Sequence, residues 1–522
     1  MIRDTSVAEA LEYKEKLEGC PGVVSVTWLD DAANIEQPLE TLDQELAETY
    51  YKNGNALFTV TVEEDQVLDA VEAMEEVAGD RGAMSGDAVS TAVATTSTVS
   101  EVYKIAAFAV LFVFFVLFLT TTSWAEPVIV MAGLGIAIAI NAGTNLIFGE
   151  ISFVTNAAGN ILQLAVSLDY SVFLIHRFEE CMKTEETPRK AMVEALCKST
   201  SSILSSGLTT VIGFLALVFM QFKIGPDLGL ALAKGVTISL ITVFVFMPVL
   251  ILALNGWLMK THHRRLLPDF HRFGFLVRKI MVPMTAVFAL LVVPSYLASN
   301  QNTFYYGSAY IFGEDTELGR DIAEIEEIFG KSDTYALMIP RGDKVREEQL
   351  SQALHEIPEV TGILSYVDTV GAQIPEEYLD EELLSQLLSK DYSRMVLTVD
   401  ADAEGEEAFA LVEKIRETAD TYYPDSWYLA GAGVSTYDLM DTITADMVKV
   451  NLIAIAAVFV VLLFTMKSVS LPVFLVLAIE TAVWINVSIP YFKDSTVFYI
   501  SYLIISSIQL GATVDYAILT TE

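Results

Sequence analysis

The chain is poor in thiols and imidazoles: its 522 residues include 3 cysteines and 5 histidines. Cys20, Cys181 and Cys197 show neither a metal-ligand spacing nor an even framework. A disulfide scaffold, a structural metal and thiol catalysis are therefore set aside, and no cofactor is expected. His262, His263 and His271 fall in a basic stretch and are expected as solvated loop residues. Cations are scarce as well, with 31 Lys and Arg against 68 Asp and Glu, a net charge of −37. That sign repels phosphate, so no nucleic-acid partner is expected. No signal peptide is expected in this stretch, because Met1 leads straight into Ile-Arg-Asp-Thr and an amphipathic helical pattern.

Apolar residues are abundant, at 53% hydrophobic with a mean hydropathy of +0.47. The charge is segregated from them. Residues 1–104 hold 22 acidic and 6 basic side chains, and residues 299–446 hold 32 and 9. The remainder is nearly neutral. Two acidic, water-facing domains thus alternate with apolar blocks.

Apolar runs near 20 residues mark membrane helices, since about 20 residues rising 1.5 Å each cross the hydrocarbon core. Nine are expected, at about 104–122, 127–148, 155–176, 200–222, 228–257, 280–298, 448–466, 471–490 and 498–519. Lys and Arg concentrate in 177–198 and 259–279. These segments are expected in the cytoplasm, which puts both acidic domains outside it. The expected division is 1–100, an outer domain; 101–258, a helix block; 259–279, a basic loop; 280–298, a helix; 299–446, a second outer domain; and 447–522, a second helix block. Both chain ends read as cuts through larger units.

The outer domains read as alternating strands and helices. The second gives Tyr335–Ile339, Val345–Glu356, Val360–Val367, Met395–Val399 and Glu404–Ala419. The first gives Val7–Leu17, Val23–Trp28, Leu57–Val62 and Gln66–Val77. Leu17-Glu-Gly-Cys-Pro21 and Leu354-His-Glu-Ile-Pro358 look like equivalent turns. Small α+β sandwiches of ferredoxin type are expected.

The chain repeats itself. Ser90-Thr91 matches Ser435-Thr436, Lys104 matches Lys449, Ser123 matches Ser468 and Pro127 matches Pro472, all at one offset of 345. Two halves in parallel are common among secondary transporters. Each half carries one Asp-Tyr pair in an apolar run: Asp169-Tyr170 and Asp515-Tyr516. A mid-bilayer carboxylate costs about 2.5–3.5 kcal/mol even on lenient scales, so it marks a functional site. Desolvation and a second carboxyl both raise a carboxyl pKa, which would let a buried pair load and release protons. The adjacent tyrosines can donate hydrogen bonds.

Gln163 and Gln509 precede the aspartates by six residues, about 120° from the Asp face, and are expected to bond neighbouring helices. Ser202, Ser206, Thr209 and Gly213 share a helical face, read either as a polar wall beside Asp169 or as close packing. Glu480 lies mid-span without a counterpart in the first half, with Lys234 as a candidate partner. Lys104 and Lys449 are expected to snorkel. Glu179–Leu196 reads as an amphipathic helix on the inner surface.

At these residues the chain resembles the RND superfamily of transporters, in its MmpL-type branch. The resemblance covers essentially the whole chain. It rests on the two Asp-Tyr pairs, on the repeat, and on the exit His176-Arg177-Phe178-Glu179-Glu180. It implies a polytopic α-helical membrane protein with two outer porter domains. Mapped onto the family's twelve helices, the chain would lack the first and the last two. It further implies proton-driven export of lipids or hydrophobic compounds across a bacterial plasma membrane. Asp169, Tyr170, Asp515 and Tyr516 would form the relay, with protons, membrane lipids and a hydrophobic substrate as partners; oligomer formation stays open, and no enzyme is implied. Three other readings compete. A sterol-sensing type of sensor would share the helix bundle. A SecD/SecF type of translocation accessory would share the helix plan. An intramembrane aspartyl protease would need Gly-x-Gly-Asp, which neither aspartate carries.

Overall fold

The computed structural model describes all residues except 34, 36, 40, 41, 43, 150, 264–270, 308–311, 314, 332, 372, 375–383, 386, 403 and 522. The side chains of 32, 45, 46, 98, 99, 153, 157, 271, 272, 512 and 515–521 are also outside the description. The chain forms two compact units. One combines Met1–Ser97 with Tyr305–Asp441, the other Thr98–Phe304 with Thr442–Glu522. The two acidic segments, divided above into separate domains, thus fall in one unit.

The elements run as follows. Helix α1 (Val7–Glu18), strands β1 (Val23–Thr27) and β2 (Thr59–Val62) and helix α2 (Val67–Ala78) open the chain. Seven long helices follow: α3 (Asp87–Thr120), α4 (Glu126–Thr144), α5 (Phe153–Met182), α6 (Pro188–Leu215), α7 (Ile224–Ile241), α8 (Met247–Lys260) and α9 (His271–Ser299). The second acidic segment gives α10 (Glu317–Phe329), β3 (Asp333–Pro340), α11 (Lys344–His355), β4 (Val360–Leu364), β5 (Tyr392–Val399), α12 (Glu406–Tyr422) and β6 (Tyr428–Ala430). Helices α13 (Ala432–Met466), α14 (Ser470–Lys493) and α15 (Tyr499–Thr521) close it.

In the acidic unit, β3, β4, β5 and β6 form an antiparallel sheet in the order β4-β5-β3-β6. With α11 after the first strand and α12 after the third, this is a β-α-β-β-α-β chain order. Strand alternation decides which face is inward: Tyr335, Leu337 and Ile339 of β3 and Met395, Leu397 and Val399 of β5 are buried with Leu350, Leu354, Leu411 and Ile415 of the helices. The first acidic segment pairs β1 with β2, and a separate short hairpin pairs Tyr51–Lys52 with Asn55–Ala56. Its core is completed from elsewhere. Leu318 of α10 is buried with Leu17, Val71 and Met74, and Ile325 with Met1 and Ala83. Arg3 holds the same helix from outside, 2.7 Å from Glu324 and 3.2 Å from Asp321. The two Pro turns are equivalent. Cys20 N–H donates to Leu17 O and Ile357 N–H to Leu354 O, both at 3.1 Å.

Among the described residues, eight helical spans are long and apolar enough to cross a membrane, with α7 and α8 counted as one span, Ile224–Lys260. Between those two the helix makes a π turn over Thr242–Phe246, just ahead of Pro248, which has no N–H to continue the regular ladder. The ninth expected span is α15, of which Tyr499–Gly511 is the apolar portion described. Helix ends overrun the apolar runs: α3 begins at Asp87 and α13 at Ala432, with no Pro inside either to stop the helix at the apolar boundary. The separate inner-surface helix over Glu179–Leu196 is not formed. Helix α5 ends at Met182, and Thr187 caps α6 by accepting from Lys190 N–H at 3.3 Å, with Pro188 in the first turn. The Thr-Pro step starts a new helix where amphipathic periodicity alone runs through.

Candidate functional site

Helix α5 turns Gln163, Ser167, Tyr170 and Leu174 inward, a spacing of four, three and four residues; each is at most 5% exposed. Asp169 lies 100° from Tyr170 around the helix, and its side chain is exposed, as is Ala165 one turn earlier. The sequence suggests a buried carboxylate. The structure buries the tyrosine of the pair and leaves the aspartate at the edge of the packed face.

The inward face is polar. Gln163 Nε2 donates to Gly235 O and to Ser239 Oγ of α7, each at 3.1 Å. Ser167 Oγ lies 2.5 Å from Ser239 Oγ. The expectation that Gln163 bonds a neighbouring helix is met. Gln509 does likewise, accepting from Asn486 Nδ2 of α14 at 3.0 Å. Asn486 has an equivalent that sequence reading missed. Asn141 stands 345 residues earlier, and both Asn141 and Gln163 lie against Gly235, within about 4 Å of where a Cβ would stand. The signal was the repeat offset, applied to amides as well as to acids.

Helix α6 is packed against both α5 and α15. Its Ser199, Ser202, Ser206, Thr209 and Thr210 are all buried. Thr209 donates to Ser206 O at 2.6 Å and Thr210 to the same oxygen at 3.3 Å, both within the helix. Thr210 Oγ1 also donates across to Gly511 O of α15 at 3.2 Å. The two helices meet at glycines: a Cβ on Gly213 would come within 3.3 Å of Gly511 Cα. Gly511 precedes position 515 by one turn. The side chains of Asp515 and Tyr516 lie outside the described residues, so the structure brings the hydroxyl helix to both Asp-bearing helices without describing an aspartate pair.

Glu480 is half-buried in the middle of α14. It does not pair with Lys234. That ammonium donates to Asn141 O, Thr144 Oγ1 and Asn145 Oδ1 at 3.0, 3.1 and 2.5 Å, and lies 5.0 Å from the Phe148 ring centre. Lys234 of α7 faces the C-terminal end of α4 and finds the neutral acceptors there. Among the described residues no group of three metal-binding side chains occurs.

The MMPL family profile matches residues 57–283 and 311–521. A membrane protein of Streptomyces coelicolor is 24% identical over 348 residues, which cover 62% of this chain and 39% of that protein. The probable transport protein MmpL12 of Mycobacterium tuberculosis is 29% identical over 133 residues, 25% of this chain and 12% of the relative. The chain thus spans well under half the length of these relatives. Among solved structures, SecDF of Thermus thermophilus, a translocon-associated membrane protein, aligns at a TM-score of 0.51 and 14% identity, covering 90% of this chain and 58% of that one. That likeness is one of fold.

Proposed function

The chain belongs to the MMPL family of multi-pass membrane proteins, and on that premise we propose that it is part of a proton-driven exporter of lipids or other hydrophobic compounds. The carrying observation is the placement of Asp169, midway along a membrane-spanning helix, on a helix packed against the hydroxyl-rich α6. Protonation would remove the charge of Asp169 and change which face of α5 tolerates an apolar neighbour. Asp515 would do the same on α15, with Tyr170 and Tyr516 as hydrogen-bond partners. Ser202, Ser206, Thr209 and Glu480 are proposed accessories. One charge crossing 100 mV supplies about 2.3 kcal/mol, enough for one or two protons to drive a modest gradient. The acidic unit, outside the cytoplasm on this reading, would receive the substrate. The β-α-β-β-α-β order of its sheet supports the ferredoxin-type sandwich expected for a porter domain.

The test uses the full-length protein in proteoliposomes. Asp169→Asn is expected to abolish proton-dependent export of a fluorescent lipid while the protein is produced and folds normally. Undiminished transport by this variant would sink the reading. The SecDF-like fold favours a second reading, an accessory of protein translocation. Stimulation of preprotein translocation, without lipid export, would select it.

A further inference from the structure

Thr122 stands between two glutamates at the end of α4 and α5 that the Lys and Arg distribution assigns to the cytoplasm. Glu126 is fully buried, and its Oε1 lies 3.1 Å from the Thr122 hydroxyl and 3.3 Å from the Thr122 amide nitrogen. The same hydroxyl is hydrogen-bonded to Glu179 Oε1. Its position is fixed from the other side. Ser123 Oγ donates to Leu258 O at 2.9 Å and lies 2.7 Å from the Thr261 hydroxyl, and His263 N–H donates to Thr122 O at 2.8 Å.

A hydroxyl has one hydrogen to give and two lone pairs. It can donate to one carboxylate; the second carboxyl completes the contact only as an O–H donor. Glu126 Oε2 is buried without a hydrogen-bond partner. That suits the carbonyl oxygen of a neutral acid far better than half of a buried carboxylate, whose desolvation would go uncompensated. Among the described residues neither glutamate has an ion pair, the Arg177 guanidinium is taken by Glu180 at 2.9 Å, and the His263 ring stacks on Trp124 at 4.3 Å between centres. Helix capping accounts for Glu126 only in part. Leu471, at the repeat offset from Glu126, stands in the first turn of α14 beside Pro472 with no carboxyl, and a cap would not draw Glu179 to the same hydroxyl.

We propose that Glu126, Thr122 and Glu179 form a site that holds a single proton between two carboxyl groups. Release needs only O–H bonds to change hands. Glu126 passes its proton to Thr122 Oγ, the Thr122 hydrogen passes to Glu179, and Glu179, which is half-buried, passes it to water. Glu179 follows Asp169 by ten residues on α5, about 15 Å along the axis. If the relay at Asp169 operates as proposed above, this site is where its protons leave or enter at the inner end; the shared proton itself does not depend on that relay.

The test is infrared difference spectroscopy of the full-length protein in lipid at neutral pH, read at the carbonyl stretch of protonated carboxyl groups, with circular dichroism to verify folding. A protonated-carboxyl band is expected that persists in Asp169→Asn, shifts in Thr122→Val and is lost in Glu126→Gln. Absence of the band, or a band unchanged in Glu126→Gln, overturns the proposal. The expected band pattern together with full transport by Asp169→Asn would overturn the relay and leave the shared proton standing.

Discussion

Single residues in the acidic unit respond to pH with opposite signs. The Arg3 guanidinium bonded to Glu324 lowers that carboxyl below its ordinary value, so its contribution to stability is present above the usual glutamate range and is lost as pH falls through the folded value. Burial raises Glu404, although it accepts the Tyr306 and Gly307 N–H groups. Its contribution is complete below about 4.5 and is lost as pH rises through the raised folded value. Denaturation of the full chain in detergent between pH 4 and 8 should therefore show a decline with rising pH that Glu404→Gln makes shallower. An unchanged slope would refute that assignment. In the membrane unit, Gln163→Leu removes two interhelical bonds and should cost about 1 kcal/mol, near twice the usual membrane value per bond. Unfolding in mixed micelles measures it, and a loss indistinguishable from zero would count against the bonds. Gln163 was legible because its angle from Asp169 follows from helical geometry. The exposure of Asp169 was not, since only neighbouring helices decide which of two adjacent polar residues is covered.

At the scale of elements, the crossing of α6 and α15 depends on the absence of two side chains. Gly213→Leu would place a branched side chain against the Gly511 backbone and force the helices apart, with loss of the Thr210 to Gly511 bond. Transport should fall by at least tenfold while Gly213→Ala stays closer to wild type, the ranking to be read in proteoliposomes. Equal activity of the two variants would argue against tight contact. Strands and helices of the acidic segments could be read from sequence within a few residues, because alternation along β3 and the Pro turns at Cys20 and Ile357 are local signals. What escaped was the helix α10, whose apolar face completes a core made by residues three hundred positions away. Local periodicity says that Leu318 and Ile325 are buried, never against what. The Thr187-Pro188 step shows the converse, a local signal outvoted in the reading by a longer pattern.

For the whole molecule, the segregation of charge predicts sidedness. Engineered cysteines at Asp65 and Glu348, one in each acidic segment, should react with a membrane-impermeant maleimide on intact cells. Cys197 is exposed near the start of α6, which the basic residues assign to the cytoplasm, and should react only after the membrane is opened. Labelling of Cys197 in sealed cells would reverse the orientation. The duplication behind this plan has a less obvious result. Helix α6 belongs to the first half, yet it lies against the aspartate helices of both. Damage to α6 therefore touches both aspartate helices at once, and an intact Asp515 gives no protection from it.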